Sequence, residues 1–328
     1  MRRARIKVDS EQGEAVYHCT SRAVNGERLF DDVAREILRK QMWRAATYCG
    51  IQILTYTILS NHFHLLVKVP IKTTPSDDEL LRRYSVLCRE PELESTRSPS
   101  AIRELLKANG PEAAEWRRTQ IGRMGDVSNF MKLLKQGFSI WFNKNRGRFG
   151  TLWAERFKSV LVEPQGRAIE TVALYIDLNC VRAGLVEDPK DYRFCGYAEA
   201  VGGSAQARQG ISTVIGGGLD WAEAHSHYRE ALFGSGTVPK AQGASISSEA
   251  FAEVLQRNGR LPVPVILRCR MRYFTDGVIL GSRTFVRSQL SKLCEHYGLR
   301  GEGEPYDLSN ISDWGDLSIL HKLRGNPF

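Results

Sequence analysis

Short runs in which apolar and polar residues alternate every second position are separated by longer stretches in which apolar residues recur at helical spacing. Ala15 to Ser21 (AVYHCTS) predicts a first strand, with Val16, His18 and Thr20 on one face and Tyr17 and Cys19 on the other. Asp31 or Asp32 can cap a helix that runs to about Tyr48, with Val33, Ile37, Leu38 and Ala45 on its apolar side and Gly50 at its end. Ile51 to Leu59 and His62 to Val69 predict two adjacent strands broken at Ser60-Asn61. Asp126 to Asn145 predicts a helix capped by Asp126 or Ser128, with Val127, Phe130, Leu133, Leu134, Phe138, Trp141 and Phe142 as its apolar stripe. Phe157 to Val162 predicts a further strand, and Ala168 to about Asn179 another helix. The order β-α-β-β-α-β, plus a helix, is the α+β, ferredoxin-like (split βαβ) pattern. It predicts an antiparallel sheet with helices on one face and the other face left for a ligand.

The remaining stretches set the domain organisation. Residues 1–200 form the expected main domain, interrupted by a charge-rich insertion at about 71–125. There Leu80, Leu81 and Tyr84, then Ile102, Leu105 and Leu106, predict short helices. Residues 201–256 are expected as a flexible linker region, with Gly216-Gly217-Gly218 and Gly234-Ser235-Gly236 as connectors and a short helix from Ser247 to Gly259. Residues 257–328 are expected as a basic C-terminal accessory module.

Composition narrows the function. A formal net charge of +9 over 328 residues favours a polyanionic partner, nucleic acid above all. The seven cysteines are scattered without a Cys-x-x-Cys pair, which argues against a zinc ribbon or a disulfide framework and fits a reducing cytosol. No apolar run approaches the roughly 18 residues of a membrane span, and no signal peptide is expected after the basic start. The expected location is cytoplasmic and nucleoid-associated.

Two side chains of the second hairpin strand then stand out. His62 and His64 share one strand face, while Phe63 points the other way. Two neutral imidazoles can hold a divalent metal and leave positions open for substrate oxygen.

Four stretches in order carry a resemblance: Tyr17 to Arg22 (YHCTSR), Asn61 to Val67 (NHFHLLV), Gly150 to Glu163 (GTLWAERFKSVLVE) and Tyr175 to Val186 (YIDLNCVRAGLV). Over roughly residues 14 to 200 the chain resembles the IS200-like tyrosine transposases, and within them the branch associated with repetitive extragenic palindromes (REP). Cys180 stands where that family usually has proline. The resemblance implies a nuclease with a histidine-hydrophobe-histidine motif (the HUH endonucleases) that cuts single-stranded DNA with one tyrosine. It leaves a 5′-phosphotyrosine and a free 3′-OH and rejoins the strand later. Tyr175 is the expected nucleophile, with Tyr192 and Tyr197 as rivals expected on the surface. Tyr175 and Asn179 are four apart and share a helix face. If that face packs on His62 and His64, the Asn179 amide oxygen becomes a third ligand for Mg²⁺ or Mn²⁺. His18 is expected either near the metal or in packing.

Between residues 130 and 160, seven basic residues face one acid. Arg146, Arg148, Arg156 and Lys158 are expected on DNA phosphates, and Phe149 and Trp153 against unpaired bases. Arg182 is expected at the DNA as well. Arg156 has an alternative, pairing with Glu163 or Glu170. Residues 257–300 hold nine basic residues against two acids, a second expected DNA contact, and Phe274 to Ser282 resembles a C-terminal stretch found in part of the family. His225 and His227 are expected on the surface. The expected partner is single-stranded or hairpin DNA, including REP-like palindromes, for a monomer or homodimer. The rival expectations are a domesticated DNA-binding protein without cleavage and a metallohydrolase using activated water.

Overall fold

The computed structural model describes residues 6–8, 13–88, 98–233, 277–297, 305–308 and 316–320. The expected alternation at the start forms strand β1 (Ala15–Arg22). Helix α1 (Asp32–Cys49) follows, its first turn closed by the Asp31 carboxylate, which accepts from Ala34 N at 2.8 Å. Gly50, at φ 64°, ends it in the left-handed conformation that glycine adopts without strain. Its buried face is Ala34, Leu38, Met42, Ala45, Ala46 and Cys49, rotated from the expected stripe, so that Val33 points to solvent. Strands β2 (Gln52–Ile58) and β3 (His62–Val69) make the hairpin. Helices α2 (Asp77–Leu87), α3 (Pro99–Ala108) and α4 (Pro111–Ile121) occupy the inserted stretch. Leu81, Ile102, Leu106 and Ala113 give these three helices a small apolar cluster of their own.

Helix α5 (Val127–Arg146) starts at Asp126, which accepts from Asn129 N, and leads by a loop to β4 (Lys158–Val162). β1 lies between β3 and β4, and β3 between β1 and β2, each pair antiparallel. The order β2-β3-β1-β4 is the split βαβ arrangement expected from the element order. β1 and β2, joined through α1, are separated by β3, and β3 and β4, joined through α5, by β1. Both connecting helices pack on the face to which Phe63 points.

The second face, expected open for a ligand, carries helix α6 (Arg167–Asp177) and the short helix α7 (Asn179–Arg182). α6 is buried on nearly every side, packed on β2 and β3 and against helices later in the chain. α8 (Gly196–Val201), α9 (Ala205–Val214) and α10 (Trp221–Phe233) replace much of the linker expected after residue 200. Buried Ile211, Val214, Tyr228 and Leu232 supply the apolar positions that order this stretch. α9 crosses β2 at Gly210, where an added Cβ would lie 2.5 Å from Leu54 O. The connector Gly234-Ser235-Gly236 and the helix expected from Ser247 lie outside the described residues.

The sheet continues past β4. β5 (Ile279–Ser282) runs parallel to β4, then β7 (Leu317–Leu320) and β6 (Tyr306–Asp307) add antiparallel, giving seven strands among the described residues. Glu163 takes Ser282 N at 2.6 Å and Ser282 Oγ at 3.0 Å, and that hydroxyl accepts from Phe285 N at the start of α11 (Arg283–Tyr297). The described end of the Phe274 to Ser282 stretch thus has a structural place, with Ile279–Ser282 as a sheet strand. Arg283, Arg287 and Lys292 are exposed on α11. Arg257, Arg260, Arg268, Arg270, Arg272 and Arg300 lie outside the described residues. Among the described residues, no helix is long and apolar enough to cross a membrane.

Candidate active site

Phe63 fixes the two histidines that flank it. It is fully buried and meets Trp153 edge-on at 5.6 Å between ring centres, in an aromatic cluster with Phe30 and Phe138. Burying such a side chain contributes roughly 1.5–3 kcal/mol. Strand alternation then sends His62 and His64 to the opposite face. There the register sets their neighbours: His64 lies opposite Thr20 and Thr57, and His62 opposite Arg22. Thr20 in turn lies opposite Lys158 on β4. His18 shares this face, opposite Leu66 and Val160.

Helix α6 is tied across that face by two threonines of β2. Thr57 Oγ1 donates to Ile176 O at 2.7 Å, and Thr55 Oγ1 to Asp177 Oδ1 at 2.6 Å. The Asp177 carboxylate also accepts from Tyr228 OH at 2.5 Å and Cys195 Sγ at 3.1 Å. Asp177 is thereby the buried anchor of the helix, and Tyr175 is delivered to the histidines. Its ring stands edge-on to His64 and His18, with centres 5.9 and 6.0 Å away. The expected one-turn spacing holds, since Asn179 Nδ2 donates to Tyr175 O at 3.1 Å. Arg182 closes the group: its guanidinium carbon lies 4.0 Å from the Tyr175 ring centre, and its Nη2 donates to Asn179 Oδ1 at 2.5 Å.

The electrostatics are those of an anion site lined by neutral imidazoles. Burial, then the charges of Arg22 and Arg182, lower the His62 pKa to about 4. Burial, then His18, His62, Arg182 and Arg22, hold His64 well below the usual histidine range. Both rings are therefore uncharged near neutral pH, the form that binds a cation. The His62 tautomer follows from its neighbour. Asn61 Nδ2 donates to Gly26 O at 2.9 Å, so Asn61 Oδ1 faces His62 Nδ1 at 2.6 Å and accepts its N–H. That leaves the His62 Nε2 lone pair for a ligand.

Among the described residues, no group of three or more His, Cys, Asp or Glu side chains is placed to hold a metal ion. A cation here would rest on His62, His64 and the amide of Asn179. The donor chemistry fits: two neutral imidazoles, and an amide oxygen whose second lone pair remains after Arg182 has used one. This set is uncharged and sparse, suited to a hard cation that also takes phosphate and water oxygens.

The expected DNA residues divide. Lys158 is exposed on the strand beside Thr20, and Arg182 lies at the tyrosine itself. Arg156 is exposed two residues before β4, and Glu163, one of the two partners offered for it, accepts from Ser282 N and Oγ. Arg146 and Arg148 pair with Asp31 and Glu27. Trp153, expected to stack on bases, is a core residue. It is buried against Phe30 and Phe63, with Nε1 donating to Ser139 Oγ at 2.8 Å. Phe149 is 95 % exposed.

Tyr192 and Tyr197, expected on the surface, are buried. Tyr192 OH donates to Ile58 O and accepts from Arg35, and Tyr197 OH pairs with His225 Nε2. His225 stacks between Trp221 and Tyr197 rather than lying loose on the surface. Two participants at the site have a weak sequence signal. Arg22 is legible only through the register that pairs it with His62. Asp177 is an acid in an apolar helical run, which marks a buried and partnered carboxylate.

No family model matches the chain, and no curated protein matches it. Among solved structures, the chain is similar to a REP-associated tyrosine transposase bound to a REP hairpin. The two are 14 % identical with a TM-score of 0.35, over 62 % of this chain and 85 % of the other.

Proposed function

We propose that the chain is a tyrosine nuclease-transferase for single-stranded or hairpin DNA, working as the IS200-like transposases do, with Tyr175 as nucleophile. The observation that carries this reading is the grouping of Tyr175, His64, Asn179 and Arg182 on one sheet face, with Arg22 beside His62. A phosphodiester entering this face meets two guanidiniums. The Tyr175 oxygen attacks phosphorus, the bond from phosphorus to the 3′ oxygen breaks, and that oxygen takes up a proton as the free 3′-OH. The 5′-phosphotyrosine keeps the ester linkage, so a 3′-OH can reverse the step without ATP. A Mg²⁺ or Mn²⁺ ion on His62, His64 and Asn179 would polarise the scissile phosphate and offset its charge. Lys158, exposed opposite Thr20 on the same sheet, would meet the flanking phosphates.

A second reading, a DNA-binding protein without cleavage, has one observation in its favour. Tyr175 is 5 % exposed, and Arg182 lies over its ring. Attack then requires the Arg182 side chain to leave the ring for the phosphate. One experiment separates the two readings. Protein, Mn²⁺ and end-labelled hairpin DNA are incubated, denatured and resolved by size. A labelled adduct that disappears in Tyr175→Phe supports the nuclease. Tight binding with no adduct in the wild type supports the binding protein.

A further inference from the structure

Three histidines, not two, meet on this face, and the third has no role in the reading above. His18 comes from β1, is 1 % exposed, and stacks on His64 at 5.2 Å with an interplanar angle of 25°. Its Nε2 lies 2.9 Å from His64 Nδ1. A nitrogen–nitrogen contact of that length between two neutral imidazoles requires one donor and one lone pair. Two arrangements satisfy it. In one, His64 Nδ1–H donates to His18, and the His64 Nε2 lone pair is left for a ligand. In the other, His18 donates and His64 carries its proton on Nε2.

The neighbours of His64 fit the first arrangement. Tyr175 stands edge-on to His64, and the Arg182 guanidinium, which has donors and no acceptor, lies over that tyrosine. Asn61 imposes the matching state on His62, whose Nδ1–H it accepts. We propose that His18 is a positioning residue that accepts the Nδ1–H of His64, fixes that ring's tautomer and rotation, and so presents His64 Nε2 for ligation alongside His62 Nε2. The two imidazoles are then oriented by different devices: an amide oxygen for His62 and a third imidazole for His64. Such partners of a ligating histidine are a general requirement, and losing one typically weakens metal binding by about 10- to 100-fold. The inference deepens the proposed function and rests on it only for what His64 Nε2 binds; the tautomer itself stands apart.

The test has two readouts, neither of them activity. Two-bond proton–nitrogen correlation spectra of the full chain, labelled with ¹⁵N-histidine and free of metal, report which nitrogen of each ring is protonated. The expected result is a protonated Nδ1 on His64 and an unprotonated Nε2 on His18. A protonated Nε2 on His64 overturns the proposal. Mn²⁺ affinity is then measured by calorimetry on the wild type, His18→Leu and His18→Gln. His18→Leu keeps apolar volume but removes the acceptor, and is expected to bind Mn²⁺ about 10-fold or more weakly. His18→Gln restores an acceptor oxygen and is expected to recover most of the affinity. Equal affinity in all three proteins overturns the proposal. If the wild type binds no Mn²⁺ while the spectra show the expected tautomers, the metal part of the proposed function fails and the His18–His64 relation stands.

Discussion

The guanidinium of Arg182 lies 4.0 Å from the centre of the Tyr175 ring and bonds to Asn179 through the same group. One side chain thus holds both the nucleophile's ring and the amide of the candidate ligand. Arg182→Ala should lower the yield of covalent DNA adduct and weaken hairpin binding. It should also reduce the slope of log affinity against log salt by about 0.7 if one phosphate contact is lost. Arg182→Lys keeps the charge but not the forked donors, so it should restore the salt slope without restoring the adduct. Salt titrations on both variants check this. An unchanged slope in Arg182→Ala would remove Arg182 from the DNA.

Tyr192 offers a control for the nucleophile. Its hydroxyl is already engaged, donating to Ile58 O at 2.7 Å and accepting from Arg35 at 2.6 Å. Tyr192→Phe should leave adduct formation intact and cost stability by about 1–3 kcal/mol, the usual penalty for stranding a buried partner. Tyr175→Phe should show the opposite result in the gel, with the adduct lost. Thermal melts and adduct gels on the two variants measure the contrast.

Asp177 makes stability depend on pH. Burial outweighs the hydrogen bonds from Thr55, Tyr228 and Cys195 and raises its pKa from 3.8 to about 6. The folded state therefore holds a proton more tightly than the unfolded one. The resulting stabilisation is complete below the unfolded value and is lost as pH rises through about 6. Its ceiling is about 3 kcal/mol. Asp177→Asn cannot titrate, so the wild type should lose stability relative to this variant between about pH 4 and pH 6.5. Urea unfolding across that range gives the difference; a gap that does not vary with pH would show that Asp177 does not titrate there.

Phe149 and Trp153 should separate cleanly. Phe149 is 95 % exposed beside Arg148, so Phe149→Ala should leave the melting temperature unchanged. If it stacks on an unpaired base, the same change should weaken single-strand binding by roughly 1–3 kcal/mol. Trp153→Ala removes a core ring and should destabilise the fold by about 3–5 kcal/mol. Equal DNA affinity in Phe149→Ala would leave that ring without a nucleic-acid role.

Much of the frame can be read from local chemistry. The Asp31 and Asp126 caps, the Gly50 stop and the alternation around Phe63 each follow from neighbours within one turn or one strand, and the structure has them where the spacing places them. What escaped depends on residues far apart in the chain. The direction of Trp153 is set by Phe30 and Phe63, and the burial of Tyr192 by Ile58 and Arg35. The order in residues 205–233 comes from packing against β2 and Asp177, not from local propensity. His18 could be placed on the correct face from alternation alone. Its distance from His64 depends on the β1–β3 register, which no local pattern carries.

The parallel pairing of β4 with β5 has a consequence for synthesis of the chain. Leu161 and Glu163 donate their backbone N–H groups to Val278 and Leu280, residues made long after them. Until Ser282 has left the ribosome, the strand that borders the histidine face has a bare edge, with amides ready to pair with any extended segment they meet. Parallel contacts between such distant residues also form late in folding, after their long loop has closed. A nascent chain can therefore assemble its three histidines before its sheet is sealed, and stays open to misassembly through that interval.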